Sequence, residues 1–371
     1  MKEYRIILSG GGTGGHIYPA VAVAEALKRK LGDSVKLLFV GAEGKMEMEK
    51  VPALGYEIKG LPVVGLQRKL SLSNLSLPFK LRRSLAMSKR IIKEFGADAV
   101  VGFGGYASGP VLWSAQRMGI PTLIQEQNSY AGVTNKMLGR RARKICVAYD
   151  GMEKFFPGDK IVMTGNPLRG NFSDNASKRG DALNYFGFTA DKPVVLIVGG
   201  SLGTRTLNEV MKRWVDEITR EGKVQVIWQT GKFYEKEMQT FMEGRSDAGI
   251  WSNAFIDRMD YAYAAADVVV SRSGAGSVSE LSLVGKPVIF VPSPNVAEDH
   301  QTKNAMALVE KGAAMMVKDS QAVEDVIPTA LALLADKDKM ETLKTNILKL
   351  AVVDSADKIA DLIIAELEQK K

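Results

Sequence analysis

Ser9-Gly10-Gly11-Gly12-Thr13-Gly14-Gly15-His16-Ile17-Tyr18-Pro19-Ala20 lies between two segments of opposite character. Before it, Tyr4-Arg5-Ile6-Ile7-Leu8 is short, aliphatic and β-branched, which predicts a buried parallel strand. After it, Ala20 to Lys28 combines strong helix formers with apolar residues at helical spacing. Strand, glycine-rich turn and helix together aim unpaired backbone N–H groups and the positive end of a helix dipole at an anion, usually a phosphate. Gly10, Gly12 and Gly15 also satisfy G-x-G-x-x-G, the dinucleotide fingerprint, which alone is a weak signal. In the dinucleotide fold the helix is already running at the third glycine. Here Pro19 restricts Tyr18 and is comfortable only in a first helical turn, so the helix is expected to start near Tyr18. Gly14, Gly15 and His16 would then form a longer loop with an imidazole at its tip. A tight turn without a ligand is the plainer alternative.

Working outward, 371 residues exceed one core of typical size, so two domains are expected. Hydrophobic residues at 46% and charged residues at 25% describe an ordinary globular protein. The net charge of +8 suits an anionic ligand or an anionic membrane surface; no nucleic-acid partner is expected. Cys146 is the single cysteine and sits in an apolar run, which excludes an internal disulfide and points to a reducing compartment. A signal peptide is not expected from the first residues, nor a membrane-spanning segment from any window, so the expected location is cytoplasmic, with peripheral membrane contact open.

From the first loop onward strands and helices alternate. Strands are read at 35–40, 98–102, 121–125 and 142–147, with helices at 79–95 and 111–118 between them. The pattern breaks after Gly165-Asn166-Pro167-Leu168-Arg169 into a polar segment, 171–178. It then starts again, with a strand at 193–198 running into Gly199-Gly200-Ser201-Leu202-Gly203-Thr204, a helix at 207–219, and strands at 224–228, 267–271, 287–291 and 313–317. This alternation implies α/β architecture with parallel sheets covered on both faces. Ligands of such sheets bind beyond the carboxyl ends of the strands, which would put the glycine turns of both halves on a common cleft.

Three further loops carry chemistry. Gly102 to Pro110 is a second anion-competent turn, with Gly104 and Gly105 permitting close backbone approach. Ser271-Arg272-Ser273-Gly274-Ala275 precedes a helix expected to start near Ser277, one turn before Glu280, a carboxylate suited to a ribose diol or to the helix dipole. In Asp299-His300-Gln301 the amide suits vicinal sugar hydroxyls, and Asp299 can cap a helix. Both histidines, His16 and His300, fall in these loops without companion ligands at zinc spacing, and no G-x-S-x-G elbow is present.

Taken in order, Gly10 to His16 with Pro19, Gly104-Gly105-Tyr106 with Ser108-Gly109-Pro110, Glu126-Gln127-Asn128, Gly165-Asn166-Pro167 with Arg169, Gly199-Gly200-Ser201, Ser271 to Ala275 with Glu280, and Asp299 with Gln301 make the chain resemble the MurG family of N-acetylglucosamine transferases. The resemblance implies two Rossmann-like domains facing a cleft, the GT-B type of glycosyltransferase. One would comprise residues 1–166, completed by a C-terminal helix at 355–371, and would bind the acceptor and the membrane; the other, 167–354, would bind the UDP-sugar. It implies inverting transfer of N-acetylglucosamine from UDP to the C4 hydroxyl of a lipid-linked muramoyl-pentapeptide, in peptidoglycan synthesis at the cytoplasmic face of the bacterial inner membrane, with no cofactor and no metal. Residue by residue, Thr13, Gly14 and Gly15 would approach the donor sugar and diphosphate, and Asn128 would reach the sugar. Arg169 and Ser201 would meet the diphosphate, backbone at Ile256 the uracil, Glu280 the ribose and Gln301 the sugar hydroxyls, with Ala275 a further substrate-binding residue. Gly104, Gly105 and Tyr106 would face the acceptor, with His16 as candidate base. Leu202 and Thr204 stand where the family often has glutamine and alanine.

Membrane contact is read at Leu75, Leu77 and Phe79, bordered by Lys80, Arg82 and Arg83, against the alternative of a loop packed on its own domain. Three other functions fit parts of the pattern: a UDP-sugar epimerase of the same fold, a UDP-sugar sensor, and a nicotinamide-dependent oxidoreductase using Gly10, Gly12, Gly15 and Glu43.

Overall fold

The computed structural model describes residues 3–63, 77–168 and 177–369. The chain divides into two compact units, Met1–Arg169 with Val352–Lys371, and Gly170–Ala351.

In the first unit, β1 (Tyr4–Ser9) leads into α1 (Gly14–Leu31), β2 (Val35–Ala42), α2 (Glu47–Ala53), β3 (Ile58–Leu61), α3 (Leu77–Phe95) and β4 (Ala99–Gly102). Next come α4 (Ser108–Arg117), β5 (Thr122–Glu126), α5 (Val133–Gly139), β6 (Lys144–Val147) and β7 (Ile161–Met163). The sheet is all parallel in the order β3-β2-β1-β4-β5-β6-β7. Successive β1 residues serve opposite faces. Ile6 and Leu8 pack with Ile17, Val21 and Val23 of α1, while Ile7 packs with Ile91 and Ile92 of α3 and Leu112 of α4. Burial on both faces is why these strands read as unbroken apolar runs.

The second unit holds α6 (Arg179–Phe186), β8 (Val194–Val198), α7 (Arg205–Glu221), β9 (Gln225–Gln229), α8 (Glu235–Met242), β10 (Ile250–Asn253), α9 (Met259–Ala265) and β11 (Val268–Ser271). It continues with α10 (Ala275–Val284), β12 (Val288–Phe290), α11 (His300–Val309), β13 (Met315–Met316), α12 (Ala322–Ala335) and α13 (Lys337–Leu348). Its parallel sheet runs β10-β9-β8-β11-β12-β13, the same winding as in the first unit. The last helix, α14 (Ser355–Glu368), returns to the first unit, where Ile359, Ala360, Ile363 and Leu367 bury one face beside α1. Arg29–Asp357 and Lys30–Asp361 contacts of 3.0 and 2.9 Å edge that seam.

Strands β3, β7 and β10 were not among the expected ones. All three lie at sheet edges; Lys59 and Gly60 interrupt β3 and Ser252 and Asn253 interrupt β10, so neither carries the apolar run of a central strand, and β7 is apolar but only three residues long.

Candidate functional sites

In both units the strand order reverses beside the first strand: β1 has β2 on one side and β4 on the other, and β8 has β9 and β11. Such a switch point opens the crevice where doubly wound sheets take ligands. The four glycine-rich or small-residue turns singled out in the sequence all follow these strands.

The first loop corrects one expectation. Helix α1 begins at Gly14 with Thr13 as its N-cap, and the His16 and Ile17 N–H groups already bond the Thr13 carbonyl at 3.1 and 3.3 Å. His16 therefore sits in the first turn of a helix and not at the tip of an extended loop. Pro19 lies inside the helix because it forgoes only the bond to the Gly15 carbonyl, and Gly15 is exposed to water. The helix is thus running at the third glycine, as in a dinucleotide fold, and Pro19 does not argue against that class.

His16 is half-buried, with Nδ1 2.8 Å from the Gly11 carbonyl and 3.3 Å from Thr13 Oγ1. A carbonyl only accepts, so Nδ1 carries the hydrogen and Nε2 is the basic nitrogen of the neutral ring. The second glycine turn packs directly on the first. Phe103 N–H bonds the Ser9 carbonyl at 2.7 Å, and a Cβ on Gly104 would lie 3.0 Å from His16 Nε2. Gly105 has φ +81°, and a Cβ there would overlap the Gly11 carbonyl. Only glycine permits that approach. Tyr106, beside them, is 58% exposed.

Glu126 organises the neighbouring loop. Its Oε1 accepts the Asn128 N–H and side-chain amide at 3.1 and 3.3 Å, and its Oε2 accepts Gly132 N–H and Asn135 Nδ2 at 3.0 and 2.8 Å. Asn128 is thereby fixed by a carboxylate that the sequence reading quoted only as part of a motif. Gln125 and Gln127 join this loop to its neighbours. Gln125 Nε2 donates to Asn166 Oδ1 at 2.9 Å, Gln127 Nε2 to the Phe103 carbonyl at 2.7 Å, and Asn166 Nδ2 to the Gln127 carbonyl at 3.0 Å. Arg169 lies outside the described residues.

In the second unit Ser201 and Leu202 are exposed on the turn between β8 and α7. The turn is clamped by Gly203 N–H to the Gly200 carbonyl at 2.9 Å and Gln229 Nε2 to the same carbonyl at 2.8 Å. Gly203 has φ +80°, and a Cβ on it would overlap the Thr230 carbonyl. Ile256 is buried, and its N–H donates to Gln229 Oε1 at 3.3 Å.

Helix α10 starts at Ala275, two residues earlier than expected, so Glu280 stands in its second turn and is not the first-turn dipole partner. Instead Tyr263 Oη donates to Glu280 Oε1 at 2.8 Å. Burial pushes the Glu280 carboxyl above the usual carboxylate range, the Tyr263 bond opposing it, and burial and the adjacent carboxylate push Tyr263 well above an ordinary phenol. Ser273 Oγ donates to the Gln301 carbonyl at 2.8 Å, and Gln301 Oε1 accepts the Ser293 N–H at 2.9 Å. One lone pair of Gln301 Oε1 is thereby engaged by backbone. Ahead of it Glu298 and Asp299 adopt φ of +53° and +54°, a conformation that costs side-chain-bearing residues about 1 kcal/mol or more each. Lys303 Nζ holds the Glu298 carbonyl at 2.7 Å, Thr302 Oγ1 donates to Asp299 Oδ1 at 2.7 Å, and His300 faces Glu298 at 3.4 Å. Arg272 bonds the Val291 carbonyl at 2.8 Å and Asp319 at 2.5 Å, which ties it into the sheet end.

Among the described residues no group of three or more His, Cys, Asp or Glu is placed to hold a metal ion, and no helix is long and apolar enough to cross a membrane. Helix α3 turns Ser84, Ser88, Ile91 and Ile92 inward and leaves Phe79 74% and Leu81 53% exposed beside exposed Lys80, Arg82 and Arg83. Trp113, on the adjacent α4, is also exposed. Leu75 lies outside the described residues, and the Leu77 side chain is not among those described.

Residues 6–147 match the N-terminal domain of glycosyltransferase family 28 and residues 194–359 its C-terminal domain, so the class is a two-domain glycosyltransferase of GT-B type. Within that class the chain belongs to the MurG family. It is 53% identical over 370 residues, covering 100% of both chains, to the UDP-N-acetylglucosamine–N-acetylmuramyl-(pentapeptide) pyrophosphoryl-undecaprenol N-acetylglucosamine transferase of Parabacteroides distasonis. The proteins of the same name from Flavobacterium psychrophilum and Bacteroides thetaiotaomicron are 53% identical over 371 residues, with 100% of each chain covered, and 54% over 364, with 98% of each covered. Among solved structures, MurG of Acinetobacter baumannii superposes with a TM-score of 0.78 at 30% identity, covering 98% of this chain and 99% of that one. The UDP-GlcNAc 2-epimerase of Neisseria meningitidis, at 13% identity and a TM-score of 0.67 with 98% and 100% covered, shares the fold alone. Family membership, and not Pro19, is what sets the oxidoreductase reading aside.

Proposed function

We propose that the chain moves N-acetylglucosamine from UDP-N-acetylglucosamine to the C4 hydroxyl of undecaprenyl-pyrophosphoryl-N-acetylmuramoyl-pentapeptide, lipid I to lipid II, in peptidoglycan synthesis. The observation that carries this is identity above half, end to end, with transferases named for that reaction. The second unit holds the donor, with Ile256 backbone at the uracil, Glu280 at the ribose, Ser201 and Arg169 at the diphosphate and Gln301 at the sugar hydroxyls, and Ala275 a further substrate-binding residue. Thr13, Gly14, Gly15 and Asn128 contact the donated sugar, and Gly104, Gly105 and Tyr106 receive the acceptor.

In the reaction His16 Nε2 takes the proton of the C4 hydroxyl, the oxygen bonds the anomeric carbon from the opposite face, and the bond to the diphosphate breaks with its electrons on UDP. Inversion follows from that single displacement. The fixed tautomer of His16 supports this role, since Nε2 is the nitrogen that can accept. The negative charge gained by UDP is met by backbone N–H groups at the starts of α7 and α10 and by Arg169, dipoles and charge that need no reorganisation. The protein rests on the cytoplasmic face of the inner membrane through Leu75, Leu77 and Phe79 with Lys80, Arg82 and Arg83, the acceptor being lipid-linked.

Incubation with UDP-N-acetylglucosamine and a short-chain lipid-linked muramoyl-pentapeptide tests the reading. Acceptor-dependent UDP release is expected. Donor isomerisation without acceptor would replace it with an epimerase, and binding without either would leave a sensor.

A further inference from the structure

The first glycine loop already contains an anion. Glu47, on α2, is fully buried, and its Oε2 accepts the Gly12 N–H at 2.9 Å while Oε1 accepts the Ala42 N–H at 2.9 Å. It fills space that two glycines leave open. A Cβ on Gly11 would overlap Oε1, and one on Gly41 would lie 2.5 Å from Cγ. The N–H it engages belongs to the Gly11–Gly12 peptide, and the carbonyl of that same peptide takes the hydrogen of His16 Nδ1 at 2.8 Å. Carboxylate, peptide and imidazole therefore form one hydrogen-bonded chain, in which each bond polarises the next.

We propose that Glu47 is a positioning residue that acts on His16 through the Gly11–Gly12 peptide, orienting the ring and raising the basicity of Nε2. The inference rests on His16 as the base. No proton crosses the peptide; the acceptor proton stops at Nε2. The arrangement resembles the carboxylate that orients a catalytic histidine, with a peptide group interposed. Thr13 Oγ1, at the N-cap of the same helix, lies 3.3 Å from Nδ1, and Gly104 with the Gln127 amide lies beside the ring. The charge that reaches His16 along this chain is that of Glu47. A consequence is that the cradle under Gly12 is filled, so the donor diphosphate is not held there.

Glu47→Gln keeps shape and removes charge. Because the relay is indirect, the acidic limb of the kcat–pH profile is expected to move down by about half a unit, and kcat to fall about three- to tenfold. Affinity for UDP, read by calorimetry, should stay within about twofold, since the donor's phosphates sit elsewhere. Gly11→Ala displaces the carboxylate without removing it; it should shift the limb in the same direction, and the double variant should be no worse than Glu47→Gln. If Glu47→Gln does not fold, Gly11→Ala alone carries the test. An unmoved acidic limb in the folded variants overturns the inference, as does UDP affinity that falls in step with kcat. Should His16→Gln itself retain near-normal turnover, it is the base assignment that fails, and the two outcomes are separable.

Discussion

Replacing Tyr263 by Phe isolates the contact that holds Glu280. Tyr263 is almost fully buried and its hydroxyl donates to Glu280 Oε1 at 2.8 Å, while the ring itself fits the same space in Phe. Removing the donor leaves a half-buried carboxylate with one bond fewer, which costs up to about 1.5–3 kcal/mol when the acceptor is charged. For a unit of this size that corresponds to a fall in Tm of about 3–12 °C. The pH dependence supplies the sharper check. Burial has already raised the Glu280 pKa, and the Tyr263 bond is what lowers it, so the variant's carboxyl rises further. A group whose folded pKa is raised favours folding fully below its unfolded pKa and loses that contribution as pH rises through the folded pKa. The variant therefore loses more than wild type as pH increases. The Tm gap should narrow as pH falls toward the ordinary carboxylate range and widen as pH rises through the folded pKa of Glu280, which is raised further in the variant. Calorimetric scans across pH 5 to 8 measure the gap; UDP-N-acetylglucosamine affinity measured alongside should weaken about tenfold at neutral pH, the cost of a misplaced charge-assisted bond to the ribose. A Tm gap of the same size at both ends of the range would refute the reasoning, because packing alone, without the charge, would then account for it.

Three other outcomes follow from the structure. His16→Ala and His16→Gln should lose turnover by about 10²–10⁴-fold, the usual worth of a positioned base, with donor affinity nearly intact; near-normal turnover in either removes the base assignment. Replacing Lys80, Arg82 and Arg83 with Gln should weaken binding to anionic vesicles by about 150-fold at low salt, at about 1 kcal/mol per charge, and equal recovery of wild type in the supernatant with and without anionic lipid would sink the membrane surface itself. Cys146 is completely buried and its thiol is pushed up to about 12 by that burial, so iodoacetamide at pH 8 should label it only after unfolding; labelling of the native protein at the rate of a free thiol would contradict its placement.

Central strands and switch-point turns were legible in the residues themselves. Strands β1, β4, β8 and β11 are buried on both faces, so nearly every position in them must be apolar, and the glycines beyond them mark where backbone turns tightly or touches backbone. Those turns, with the further motifs at Glu126-Gln127-Asn128, Gly165-Asn166-Pro167 and Asp299 with Gln301, are what make the chain resemble the family. The tertiary structure decided what local rules leave open. Helix α1 runs through Pro19 because one forgone bond at an exposed carbonyl is outweighed by burying Ile17, Val21 and Val23 on the sheet. Strands β3 and β10 exist because a neighbour offers them a ladder, not because of their own composition, and the three residues of β7 are too few to mark a strand without one. Glu47 meets Gly12 across 35 residues, and Tyr263 meets Glu280 across 17. Which buried polar group finds which partner depends on how two elements distant in the chain are packed, and no periodicity within either segment carries that information.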